Sequence, residues 1–290
     1  MICSRNLHRR YSYSHKTWSL GTTIQNMASA KQVKKFKISF LRSLEGIYEW
    51  ALMPPSSKAA VYWLALVAGS FIHDFLPLPQ SYLSNKRNVF NVYFVKLGWG
   101  WTLGLLIPFI SLTSSVYTSF NPTATLKHLS RMVVGTFGWY FWVNLFVYIE
   151  ELTGQCEGEE TLSSKKTCHF QGFHWDGFDI SGHTFLLTYS ALVISEEIQV
   201  KRWWSTEQRN TRGTTWFDRR LSLVSPLVEL LFICISLLLI LWEFMLVCTT
   251  VYFHTVPQKV LGALVALFTW YVTYGVWYKN EPSPGRPWTL

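Results

Sequence analysis

Residues 170–187 combine aromatic rings, two carboxylates and a Ser-Gly-His triplet directly ahead of an apolar run. The sequence therefore predicts that the imidazole of His183 lies where a membrane helix begins. Unpaired backbone N–H groups and the helix dipole attract phosphate at such a position. A second histidine, His254, lies between two later apolar runs. Two imidazoles at one membrane face would suit hydrolysis of a phosphate ester or a diphosphate.

Residue chemistry suggests a role for each member of this group. His254 would act as nucleophile and form a phosphohistidine, while His183 would protonate the leaving oxygen. Gly182 would allow close backbone approach to the phosphate, and Ser181 would cap the helix and bind the phosphate beside it. This chemistry requires neither a metal nor a cofactor.

A basic pair ahead of the second apolar run is the candidate phosphate clamp. Arg87 would grip phosphate oxygens in a fork, and Lys86 would add a point charge. Each feature alone has an ordinary alternative, since a single interfacial histidine commonly packs or caps and a Lys-Arg pair commonly lies in a solvated loop. Their predicted placement on one side of the membrane favours the catalytic interpretation.

Composition predicts an all-α, polytopic membrane helix bundle. The chain has 290 residues, 49% hydrophobic and 17% aromatic, and its 15% of charged residues is too low for an ordinary soluble domain. A helix needs about 20 residues to cross a bilayer. Six transmembrane helices are predicted, at about 59–76, 92–117, 132–148, 181–197, 226–251 and 260–277.

Basic residues predict the orientation of these spans. With a cytoplasmic N-terminus, twenty of the 26 lysines and arginines fall in cytoplasmic segments, as membrane proteins favour. The net charge of +9 therefore indicates topology rather than nucleic-acid binding. The predicted divisions are a basic cytoplasmic tail at 1–58, a membrane domain with a lumenal active site at 59–278 and a short cytoplasmic tail at 279–290. Residues 1–26 also have a composition compatible with a transit peptide.

Two further hypotheses concern side chains on the non-cytoplasmic side. Cys156 and Cys168 share one polar loop, where a disulfide is expected in an oxidising compartment. The alternative is a zinc site that adds His169 and His174, although adjacent Cys168 and His169 are poorly placed for tetrahedral ligation. In the membrane region, Lys96 is a candidate partner for Glu243, and independent snorkelling is the alternative.

Three blocks of sequence resemble the fat storage-inducing transmembrane (FIT) proteins of the endoplasmic reticulum. They are residues 81–96, residues 175–185 with the sequence WDGFDISGHTF, and residues 251–259, which begin VYFHT and end QK. With the six-span layout, the resemblance covers most of residues 45–280. The middle block is highly specific.

This resemblance implies an endoplasmic reticulum membrane hydrolase related to the lipid phosphate phosphatases, with His183 and His254 as a lumenal catalytic pair. The implied activity is fatty acyl-CoA diphosphatase, which yields acyl 4′-phosphopantetheine and adenosine 3′,5′-bisphosphate. Implied partners are fatty acyl-CoA and membrane lipids, including triacylglycerol and diacylglycerol, in lipid droplet formation. The alternatives are a non-enzymatic scaffold that partitions neutral lipid and, more distantly, a transporter that uses Glu229 and Glu243.

The chain departs from the phosphatase pattern at the second histidine. That pattern places an aspartate four residues later, where this sequence has Gln258. An amide can fix a histidine tautomer but stabilises an imidazolium less well than a carboxylate. Asp179 or Asp176 is therefore a candidate substitute through space. The first basic motif of the phosphatases is not reproduced at its usual spacing around Lys86 and Arg87.

Overall fold

The computed structural model describes residues 45–76, 79–158, 164–210, 213, 215–280 and 283–286. Most of the predicted N-terminal tail lies outside these residues, including the stretch considered as a transit peptide. The chain divides into two units, 1–50 and 51–290. Only 45–50 of the first unit is described, and it is helical. The remaining elements all belong to the second unit.

The second unit is mostly helical. Its α-helices are α1 Pro55–Phe75, α2 Gly98–Tyr117, α3 Pro122–Thr153, α4 Lys165–Phe170, α5 Gly182–Glu197, α6 Val200–Asn210, α7 Trp216–Tyr252 and α8 Val256–Trp270. Short 3-10 turns span Tyr82–Ser84 and Trp277–Lys279, and π-helical turns span Phe90–Val95 and Tyr271–Val276. Strands β1 Gln155–Glu157 and β2 His174–Asp176 form an antiparallel pair. This hairpin is a small addition to the predicted helical class.

Four helical stretches are long and apolar enough to cross a membrane: Gly98–Tyr117, Pro122–Thr153, Trp216–Tyr252 and Val256–Lys279. They correspond to the second, third, fifth and sixth predicted spans. The first and fourth predicted spans correspond to α1 and α5. Neither meets the same criterion among the described residues, and α5 has only 16 residues. The chain is thus a multi-pass membrane protein, with four qualifying helices among the residues that the structure describes.

Several helix boundaries differ from the predicted ones. α3 begins at Pro122, because the side chain of Asn121 accepts hydrogen bonds from the first-turn N–H groups of Thr123 and Ala124. The segment between the fourth and fifth predicted spans contains α6 and the start of α7. The second span is divided into a π-helical turn and α2, with Leu97 outside helical geometry between them. Polar caps and turns therefore lengthen or interrupt the helices that hydropathy alone predicts.

The proposed pair of Lys96 and Glu243 is wrong. The carboxylate of Glu243 contacts the amine of Lys58 at 3.2 Å and accepts a hydrogen bond from the Tyr62 hydroxyl at 2.6 Å. Lys58 is fully buried and belongs to α1. A half-buried carboxylate gains from such partners, because desolvation of an isolated charge is costly.

α5 is the innermost helix and packs against α2, α7 and α8. Its side chains are buried almost throughout, which suits a short helix enclosed by longer ones. The rings of Phe185 and Tyr189 stack on each other, and Tyr189 also stacks on Trp99 of α2. At its far end Glu197 binds the buried guanidinium of Arg131 through two hydrogen bonds of 2.7 Å. Both ends of α5 are thereby fixed within the bundle.

Candidate active site

His183 lies in the first turn of α5, as its sequence position predicts. Ser181 is the N-cap, and its hydroxyl accepts the backbone N–H of Thr184 at 3.3 Å and contacts the Thr184 hydroxyl at 2.8 Å. Ser181 is fully buried, so its hydroxyl is used within the protein rather than directed to a phosphate. Gly182 and His183 face a pocket. The cap therefore orients the histidine while contributing no ligand itself.

His254 lies in the tight turn between α7 and α8. Its φ of 60° falls in the left-handed region, which is uncommon for a residue with a side chain and recurs at functional sites. The following N–H of Thr255 donates to the side-chain oxygen of Gln258 at 3.0 Å. Lys259 is fully buried, and its amine donates to the Thr250 carbonyl at 2.7 Å. Contacts on both sides of His254 thus hold the turn.

Gln258 contacts both sides of the His254 turn. Its side-chain oxygen accepts the N–H of Thr255 in the N-terminal cap of α8, and a side-chain hydrogen bond between Gln258 and the His254 ring raises the pKa of His254 against the larger effect of burial. The backbone carbonyl of Gln258 accepts the N–H of Ser181 at 3.1 Å. Gln258 therefore connects the backbone segments that carry the two histidines.

The two histidine-bearing segments are in direct backbone contact. A Cβ atom added to Gly262 would lie 2.6 Å from the carbonyl oxygen of Ser181. Only glycine permits α8 to pass so close to the start of α5. The close approach, together with the hydrogen bond to Ser181, sets the relative position of His183 and His254.

Both imidazoles line one pocket of about 480 Å³. Its walls come from the segment before α2, from α3, from the start of α5, and from the end of α7 and the turn that follows it. The lining residues are Lys86, Asn88, Asn91, Val95, Lys96, Trp139, Val143, Asp179, Gly182, His183, Leu186, Met245, Thr249, Phe253 and His254. The pocket thus combines two histidines, one carboxylate and two lysines with apolar side chains.

Asp179 is the carboxylate nearest to His254. Its Oδ2 lies 3.7 Å from His254 Nδ1, at ion-pairing distance rather than in a short hydrogen bond. Burial lowers the pKa of His254 below its ordinary value, and the Asp179 carboxylate opposes that shift. Burial likewise raises the pKa of Asp179, opposed by His254. Burial therefore favours the neutral form of the His254 imidazole, and the Asp179 carboxylate can stabilise its charged form.

The segment that carries Asp179 is anchored through the hairpin before it. A disulfide joins Cys156 and Cys168, so both sulfurs are used and the alternative zinc site lacks its thiolates. The indole of Trp175 donates to the carbonyl of Glu150 at 3.2 Å, at the end of α3. Asp176, the other candidate aspartate, lies on β2 and does not line the pocket.

Lys86 reaches the pocket from a loop built by asparagines. The side-chain amide of Asn91 donates to the Lys86 carbonyl at 2.6 Å, and the backbone N–H of Asn91 donates to the side chain of Asn88 at 2.8 Å. Both asparagines are buried and both line the pocket. Arg87 is exposed and is not among the lining residues. The structure therefore brings Lys86, but not Arg87, to the histidines.

Sequence reasoning missed several pocket residues. Lys96 is predicted there only as a partner of Glu243, and nothing in the sequence singles out Trp139. Asn88 and Asn91 were not considered, although two asparagines three positions apart, directly ahead of an apolar run, mark a polar loop held by side-chain hydrogen bonds. No signal within the sequence alone brings Trp139 to this site, because its position depends on how α2 and α3 cross.

The site has the parts of a histidine-based hydrolase for an anionic substrate. Lys86 and Lys96 supply positive charge, and Gly182 opens the N-terminus of α5 toward the pocket. Among the described residues, no cluster of three or more His, Cys, Asp or Glu side chains could hold a metal ion. Fold and pocket together define a multi-pass helical membrane protein with a two-histidine polar site.

Comparison with known proteins gives the family. The model of the fat storage-inducing transmembrane (FIT) proteins matches residues 79–274, and the chain belongs to this family. It is 45% identical over 232 residues to a Xenopus laevis protein named acyl-coenzyme A diphosphatase FITM2, covering 77% of this chain and 84% of that one. The human protein of that name is 42% identical over 253 residues, covering 82% and 92%. No solved structure matches.

Proposed function

We propose that this chain is a fatty acyl-CoA diphosphatase. It would cleave the diphosphate of acyl-CoA to acyl 4′-phosphopantetheine and adenosine 3′,5′-bisphosphate. The observation that carries the proposal is the shared pocket of His183 and His254, with Asp179 at 3.7 Å from the His254 ring. The similarity to proteins named acyl-coenzyme A diphosphatase supports the choice of substrate.

The first step is attack by His254 on one phosphorus atom of the diphosphate. Because Asp179 faces Nδ1, the attacking atom is Nε2. An N–P bond forms as the bridging P–O bond breaks, and His183 donates a proton to the departing oxygen. Asp179 stabilises the positive charge that the ring acquires, and Lys86 and Lys96 neutralise the phosphate oxygens.

The second step is hydrolysis of the phosphohistidine. His183, now deprotonated, accepts a proton from water as the water attacks phosphorus. The N–P bond breaks, and its electron pair returns to His254. Both imidazoles thus regain their starting state, and the net reaction consumes one water molecule without a metal or redox cofactor.

We place the site on the lumenal side of the endoplasmic reticulum membrane, in a six-span protein with both termini cytoplasmic. α1 has 21 residues, enough for about 30 Å of helix. The shorter α5 crosses inside a ring of longer helices, where lipid contact is small. The disulfide between Cys156 and Cys168 supports an oxidising compartment for the loop that leads to His183.

This placement also accounts for the proposed lipid partners. The acyl chain of the substrate stays at the depth of the bilayer while its charged head reaches the pocket. Triacylglycerol and diacylglycerol would contact the exposed apolar faces of the outer helices, and turnover of acyl-CoA would support lipid droplet formation.

The test is product analysis with the purified full chain in lipid bilayers. We expect both predicted products from fatty acyl-CoA, and their loss in His254→Ala. The matched control is His169→Ala, which alters an exposed histidine outside the pocket and should leave turnover unchanged. Binding of neutral lipid with no product from the unmodified chain would instead favour the scaffold function.

A further inference from the structure

A second cavity lies against the histidine pocket, on the face where α2 and α3 meet. It measures about 450 Å³ and is lined by Leu103, Ile107, Met132, Val133, Thr136, Phe137, Trp139 and Tyr140. We call it the α2/α3 groove. Both of its helices are among those able to cross a membrane. The groove is therefore at the depth of the lipid chains rather than in water.

We propose that the α2/α3 groove binds the hydrocarbon chain of the fatty acyl-CoA substrate. The inference rests on the proposed diphosphatase function and adds the site that would recognise the acyl group. Trp139 is the feature that joins the two regions, because its side chain lines both the histidine pocket and the groove. A substrate with its diphosphate at the histidines could thus continue past Trp139 into the groove.

The walls of the groove match a hydrocarbon ligand. Most of the lining side chains are aliphatic, aromatic or, for Met132, a thioether. The polar groups among them are the hydroxyls of Thr136 and Tyr140 and the indole N–H of Trp139. The Thr136 hydroxyl is already used, since it donates to the Met132 carbonyl at 2.7 Å and accepts from the Trp99 indole at 3.1 Å. No lysine, arginine or carboxylate lines the groove, so it suits the tail of the substrate and not its head.

The length of the groove is close to that of one acyl chain in a leaflet. On α3 its lining runs from Met132 to Tyr140, which is about 12 Å of helix at 1.5 Å per residue. One leaflet occupies about half of the hydrocarbon core of a bilayer, or about 15 Å.

The position of Trp139 is fixed by its neighbours. Its ring stacks on Trp99 with centroids 6.4 Å apart and planes inclined by 12°. Trp99 is buried and is itself bonded to Thr136. Trp139, which separates the histidine pocket from the groove, is therefore held in place by packing within the bundle. The open sides of the groove are formed by exposed Val133 and Ile107.

The experiment fills the groove from its exposed side with Val133→Trp and, separately, Ile107→Trp. The matched control is Val147→Trp, because Val147 is an exposed valine of α3 that lines neither cavity. The kcat/KM of palmitoyl-CoA and butyryl-CoA is measured for each purified full-length variant in bilayers. Thermal unfolding shows that each variant is folded.

We expect the ratio of palmitoyl-CoA to butyryl-CoA kcat/KM to fall about tenfold in the two groove variants, as expected for the loss of about two buried methylene groups. The control should keep the parental ratio. An unchanged ratio in both groove variants, or an equal fall in Val147→Trp, overturns the groove assignment while the diphosphatase function stands. Absence of turnover in the unmodified chain contradicts the proposed function itself.

A photoreactive fatty acyl-CoA provides a readout that does not depend on turnover. With a diazirine on the distal half of its chain, the probe should cross-link within residues 132–140, and Val133→Trp should reduce that labelling. Cross-links confined to other helices would overturn the proposed site.

Discussion

The backbone N–H of Ser181 donates to the carbonyl of Gln258 at 3.1 Å. These residues are remote in sequence, but one lies two positions before His183 and the other four positions after His254. The two histidines therefore depend on a backbone junction between α5 and α8 rather than on side-chain contacts alone. Substitutions at this junction should change activity without altering either imidazole.

Gly262→Ala is the most direct test of the junction. Its new Cβ would meet the Ser181 carbonyl oxygen at 2.6 Å, so α8 must move away from α5. We expect a loss of about 1–3 kcal/mol in stability and a fall in kcat that exceeds any change in KM. Gly104→Ala is the control, since nothing lies within 4 Å of its added Cβ. Parental kcat and unfolding temperature in Gly262→Ala would show that the junction does not position the site.

Asp179→Asn should lower turnover about tenfold, because a unit charge near 4 Å is worth about 1–4 kcal/mol at intermediate dielectric and solvent screens part of it. Removal of the carboxylate should also lower the pKa of His254 further, since Asp179 opposes the effect of burial. Full pH profiles of kcat/KM would measure both effects. Asp176→Asn, outside the pocket, should behave as the parent. Equal profiles for both variants would remove Asp179 from the mechanism.

The acidic limb of the pH profile of the unmodified chain follows from burial of His254. Attack requires the neutral ring, which predominates above its pKa, and burial lowers that pKa below the ordinary value. We therefore expect kcat/KM to fall with acidification only below about pH 6.5. The acidic limb belongs to the coupled pair of His254 and Asp179. A limb centred clearly above that pH would mean that the carboxylate, not burial, dominates.

Removal of the disulfide should destabilise the hairpin that leads to Asp179. The bonded cysteines are 12 residues apart, a loop for which closure is worth about 3 kcal/mol. We expect Cys156→Ser/Cys168→Ser to unfold at lower temperature and to turn over more slowly. Reducing agent should affect the parent and Cys234→Ser alike but not the double variant. Identical unfolding of the oxidised parent and the double variant would contradict this role.

The positions of the helices were largely predictable, because apolar runs of about 20 residues have few alternatives to membrane-buried helices. The ends of the helices were less so. Asn121 caps α3 through its side chain, so this helix begins earlier than predicted. Lys58 can be buried in α1 because its amine pairs with Glu243 of α7. Such polar compensation depends on neighbours from distant segments, which hydropathy does not reveal.

The sequence predicted the reactive histidines of the candidate site but not the residues that hold them in position. His183 and His254 were found by residue type and predicted side of the membrane, and the structure places both in one pocket. The contacts of Gln258, Lys96 and Trp139 depend on how helices cross. The position of Gly262 against Ser181 has the same origin. None of these contacts follows from sequence spacing.

The most direct test of the central claim is the kcat of the folded full chain on fatty acyl-CoA with His183→Ala, His254→Ala and both together. When two groups act together on one phosphorus atom, removal of either one loses most of the rate enhancement that the pair provides. Each single change should therefore lower kcat at least about 100-fold, and the double change should cost little more than the worse single. Near-parental turnover in either folded single variant, or fully multiplicative losses in the double, would contradict the account.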